Sequence, residues 1–181
     1  MGDAQTGTEP ESPQSEQSRS VLLGAFRRAF TETDSRLLQS YVAVSFLLGS
    51  LLAILLLLAL PVWVFNTAGG SEFATFSRAF LVVGGVLLLV ALIAPVVSAG
   101  RQHARGTATV RADVSLALAG YLFILSLYVS LLISAPPDQR EAPPALVAPV
   151  VDFLYSLPPV YAVAPPLLAA ALVGVVHRFV R

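Results

Sequence analysis

The side chains able to do acid-base or metal chemistry next to the long apolar runs are His103, His177, Asp113 and Asp152. Imidazole nitrogen and carboxylate oxygen are ordinary zinc ligands, so His103, His177 and Asp113 can be drawn as a cation set if the chain brings them together. No H-E-x-x-H spacing accompanies them, and the simpler expectation is two boundary histidines in hydrated, basic ends. Asp152 stands in an apolar outer segment, where it could pair with Arg78 or Arg140 or simply face water. Gly69-Gly70 and Gly84-Gly85 lack the strand, Lys and Ser/Thr of a nucleotide loop. The absence of cysteine removes thiolate metal sites, disulfides and a cysteine nucleophile. No catalytic constellation emerges, and neither a cofactor nor a bound metal is expected.

The elements that would position these residues are apolar. Of 181 residues, 56% are hydrophobic and 12% charged, against roughly half and a quarter in soluble domains. A net charge of zero gives no basic surplus for nucleic acid. Four stretches are long enough to cross a bilayer once, at about 37–65, 79–100, 114–135 and 159–179, and a short outer apolar piece, either helical or re-entrant, occupies 146–157. Tyr41 and Trp63 lie 22 residues apart, about 33 Å along a helix, which suits the two aromatic belts of a membrane. Pro158 and Pro159 fit a helix start, whereas Pro165 and Pro166 are expected to kink the fourth span.

Residues 1–20 are polar, without apolar periodicity, and read as a disordered tail. Residues 21–30, VLLGAFRRAF, change character: one apolar arc faces a polar side carrying Arg27 and Arg28. Too short to span, this helix is expected in the headgroup plane, with soluble packing on a partner domain as the alternative. Thr31 or Thr33 then caps the first span, and Glu32 and Asp34 suit its positive N-terminal end. The acidic opening and the length of the first apolar run argue against a cleaved signal peptide.

Small residues mark where spans should touch. Ser126, Ser130 and Ser134 form one stripe, and Ser45-Gly49-Ala53 and Pro166-Ala170-Gly174 form similar rows, the pattern of close helix approach in membranes. Arginine counting orients the chain: nine of the eleven, all but Arg78 and Arg140, flank the two termini and the second loop. Both ends are therefore expected to be cytoplasmic. The fold class expected is an all-α polytopic bundle of four transmembrane helices with an N-terminal interfacial helix, in a single domain over 21–181.

Four segments, FSRAF at Phe76–Phe80, GYLFILSLY at Gly120–Tyr128, VVDFLYSLPP at Val150–Pro159 and VHRFVR at Val176–Arg181, resemble an uncharacterised family of small multi-pass membrane proteins from haloarchaea. That resemblance implies an archaeal cell membrane and brings no activity, ligand or site residue with it.

Three functions compete. A structural or interaction component, binding lipid or a membrane complex, suits spans whose middles lack ionisable groups. An oligomeric transporter or channel for a neutral or weakly polar solute would use the serine stripe and the fourth span. An enzyme acting on lipid headgroups would have to use His103, His177, Asp113 or Asp152. The partners expected are membrane lipid, and another membrane protein or further copies of this chain.

Overall fold

The computed structural model describes residues 13–67 and 72–179, with side chains placed over 22–62 and 81–179. Six α-helices are present among these residues and no strand: α1 (Pro13–Thr31), α2 (Arg36–Thr67), α3 (Glu72–Arg105), α4 (Val110–Ser134), α5 (Ala148–Ser156) and α6 (Ala164–Phe179). Single 3-10 turns at Pro137–Gln139 and Pro159–Val163 precede α5 and α6. Four segments are long and apolar enough to cross a membrane, Arg36–Val62, Leu81–Arg105, Val110–Ser134 and Pro159–Phe179.

The central helix is α4, which packs on α2, α3, α5 and α6. Its span is 39% buried, against 17% for that of α2. The outward faces carry unbroken apolar rows: Leu58 of α2 is 66% exposed, Leu87 of α3 63% and Leu131 of α4 67%. Soluble monomers rarely expose contiguous patches of that kind; a hydrocarbon solvent removes the penalty.

Two clusters hold the bundle. Leu38, Tyr41, Val96, Ala99, Leu116 and Ala117 gather at one end with Ala29 of α1, and Leu92, Ala119, Phe123, Ala169 and Val173 lie deeper. The first cluster joins the starts of α2 and α4 to the end of α3. These ends therefore share one face of the bundle, as alternating up-and-down helices require.

Two expectations are corrected at the ends of elements. Helix α1 begins at Pro13, so residues 13–20 are helical and only 1–12 of the expected tail lie outside the described residues. Proline suits a first helical position, and the Gln14, Glu16 and Gln17 that follow are good helix formers. In the fourth span, Pro165 and Pro166 do not interrupt a continuing helix. They stand in the first turn of α6, after a 3-10 segment whose last residue passes straight into it. Their missing N–H groups fall where a helix leaves donors unused anyway. The 16 residues of α6 rise about 24 Å and the five of the 3-10 turn about 10 Å more, together enough for a hydrocarbon core.

Helix α1 is docked on its own bundle rather than set apart. It packs on α3 and α2, with Ala29 fully buried and Phe26 edge-on to Phe46 at 5.7 Å. Gly100 makes this approach feasible, since a Cβ there would come within 2.6 Å of the Ala25 carbonyl oxygen.

Candidate functional site

The strongest concentration of chemistry is a buried polar knot where α1, α2, α3 and α4 converge. Helix α3 stops because Gly106 takes a left-handed φ of 67°. Its N–H bonds the His103 carbonyl while the Thr107 N–H reaches that of Gln102, both at 3.1 Å, the paired bonds of a Schellman terminus. His103 is thereby fixed in the last turn. Three residues after Gly106, Thr109 caps α4, its hydroxyl accepting from the Ala112 N–H at 3.2 Å. That cap sets Asp113 in the first turn, where the free N–H groups of a helix favour an anion.

Asp113 Oδ2 is the centre of the knot. It accepts from His103 Nε2 at 3.0 Å and from the Thr33 hydroxyl. A carboxylate oxygen accepts, so Nε2 is the donor in this contact. The two side chains are 11% and 3% exposed, which makes this an interior contact rather than a hydrated pair. Thr33 Oγ1 also accepts from the Ser35 N–H at 3.1 Å, and Ser35 Oγ accepts from the Leu38 N–H at 3.4 Å to begin α2. Gln39 Nε2 closes the hinge by donating to the Thr33 carbonyl at 3.2 Å. Asp113 Oδ1 and Gln102 Oε1 are buried without a hydrogen-bond partner among the described residues.

The structure therefore unites two of the three drawn cation ligands and separates the third. His177 Nδ1 lies 2.7 Å from Ser98 Oγ, whose hydroxyl also donates to the Ala94 carbonyl at 2.7 Å. No group of three His, Cys, Asp or Glu capable of holding a metal occurs among the described residues. His103 is not the hydrated boundary residue of the sequence reading. Thr33, expected only as a helix cap, turns out to be the third member of the knot. Asp152 is exposed, and Arg140 lies over the Tyr155 ring at 5.2 Å instead of meeting it; the side chain of Arg78 lies outside the described residues.

Tyr41 requires correction as a lipid-interface residue. It is fully buried, edge-on to Tyr121 at 5.3 Å, and donates to the Leu92 carbonyl at 2.6 Å. The carbonyl that Pro95 leaves without its helix donor is that of Ala91, one residue before Leu92, so the Tyr41 bond falls in the same turn without replacing the missing one. Gly120 makes room, because a Cβ there would collide with the Tyr41 ring. Arg27 and Arg28 are exposed, while the Trp63 side chain lies outside the described residues.

The small-residue rows divide. Gly49 faces Leu89, whose Cδ1 would lie 3.6 Å from an added Cβ, so α2 and α3 do meet there. Gly174 faces open space; the buried row of α6 is Ala169 and Val173, one residue round the helix. Along α4, Ser130 donates to the Ala162 carbonyl at 2.5 Å, tying α4 to the 3-10 turn. Ser126 bonds within its own helix to the Phe123 carbonyl, and Ser134 is exposed. One member of the stripe packs across, and the three do not line a common path.

A bundle of four helices long enough to span, clasped at one end by a buried Thr-Asp-His knot, belongs to the class of small helical membrane-type domains. The chain is a member of the family defined as a domain of unknown function, DUF8056, whose model matches residues 1–181. No curated protein and no solved structure matches it.

Proposed function

We propose that this chain is an integral membrane protein of an archaeal cell membrane, acting as a structural or interaction component that binds lipid or a larger membrane complex. The observation that carries this reading is the distribution of charge: the middles of all four candidate spans hold no Asp, Glu, Lys, Arg or His. Proton-coupled and ion-coupled machinery keeps such groups inside the membrane despite their cost. Here the buried acid and histidine sit at helix ends, where they fasten α1 and α2 to α3 and α4. A rigid bundle with apolar outer faces suits a partner that is itself apolar, whether lipid or protein.

Arginine placement supports an orientation with both termini and the α3–α4 loop in the cytoplasm. The transporter alternative loses its motivating feature, since Ser130 is occupied by the Ala162 carbonyl and Ser126 by its own helix. Purification from native membrane in mild detergent, with mass spectrometric identification of co-purifying lipid and protein, tests the proposal. A retained lipid or a stoichiometric membrane partner is the expected result. A single bare species with no bound lipid contradicts it.

A further inference from the structure

We infer that the groove between α1 and the α2–α3 pair seats one hydrocarbon chain of an anionic membrane lipid, with its phosphate at Arg27. This inference rests on the membrane reading above and names the ligand within it. The groove measures about 380 Å³ and is walled by Leu22, Leu23 and Phe26 of α1, Phe46 and Ala53 of α2, and Ile93 of α3. That volume lies in the usual range for small-molecule sites, about 300–1,000 Å³. Ser45, which also lines it, uses its hydroxyl on the Val42 carbonyl at 3.1 Å.

The depth of the groove follows from its contacts. Phe26 meets Phe46, ten residues into α2 from Arg36, or about 15 Å along the helix axis. Leu22 and Leu23 reach further still, toward Ala53. Going the other way along α1, Arg27 follows Leu23 by one turn, at the border between the apolar arc and the polar side, and it is exposed. The apolar lining thus has, one helical turn beyond Leu23 toward the end of α1, an exposed guanidinium, a group that can take a phosphate by two parallel hydrogen bonds. Hydrocarbon below and an anion above, joined in one molecule, describe an acidic lipid. Glu32 and Asp34, the nearest acids in sequence, follow α1 in the hinge rather than line the slot.

The test uses the full chain in phosphatidylcholine vesicles containing trace spin-labelled phosphatidylglycerol or spin-labelled phosphatidylcholine, and reads the motionally restricted fraction of each label. One arginine near an anionic headgroup is worth about 1 kcal/mol, so the anionic label should be favoured about fivefold. Arg27→Gln should bring the two labels close to equality. Ala53→Phe, which fills the slot and leaves Arg27 in place, should do the same, whereas Arg111→Gln, an exposed arginine in the first turn of α4, should leave the preference intact. Equal labels in the native chain, a preference surviving both Arg27→Gln and Ala53→Phe, or one lost equally in Arg111→Gln would each overturn the assignment while leaving the membrane reading standing. Disulfide-linked dimers of Ala53→Cys with no lipid preference would seat a second copy there and overturn it too. Failure of the native chain to enter vesicles at all would overturn both.

Discussion

At the scale of single residues, Asp113 is the side chain on which the joined helix ends depend. A carboxylate 3% exposed is tolerated because a helix N-terminus, a histidine and a hydroxyl surround it, and removing it strands two buried donors. Asp113→Ala should therefore lower stability by about 1–3 kcal/mol, read as a drop in the thermal midpoint of the detergent-solubilised protein. Adding His103→Ala to that variant should cost much less than His103→Ala alone, because the partners act together; simple additivity would dismiss the knot. The knot was half legible in the sequence. His103 and Asp113 stand ten residues apart across a short loop, near enough to be drawn together, but Thr33 is 80 residues from Asp113 and its local context reads as a cap. The burial of Tyr41 escapes the sequence for a related reason. An aromatic with a polar tip fits an interfacial belt and a buried contact to a helix carbonyl equally well, and only the opposing Gly120 decides between them.

At the scale of elements, apolar run length placed the four spans, because a helix that must satisfy its backbone in hydrocarbon needs about 20 apolar residues. Helix α5, Ala148–Ser156, falls within the short outer piece expected at 146–157. The packing faces were less legible. Gly174 and Ala169 differ by little in composition, and the choice between adjacent rows depends on the rotation of α6 about its axis, which α4 sets. The docking of α1 has a single steric requirement at Gly100. Gly100→Leu should push α1 away from α3 without unfolding the spans. Amide exchange over 22–31 is expected to rise by about tenfold or more while α4 stays protected. Unchanged protection there would show that α1 is held by other contacts.

At the scale of the molecule, the proposed orientation puts alternate loops on opposite sides of a membrane, with the arginine-rich ends together. Nine of eleven arginines lie in the segments assigned to one face, and the first apolar cluster joins the helix ends of that face. Because the chain has no cysteine, single cysteines introduced at Thr107, in the α3–α4 loop, and at Glu141, between α4 and α5, report sidedness without background. The most direct measurement is labelling of these two variants in intact cells with a membrane-impermeant maleimide. Glu141→Cys should react from outside, and Thr107→Cys only after the membrane is opened. Reaction of both from the same side, or of neither variant with any membrane fraction, would contradict a four-span bundle.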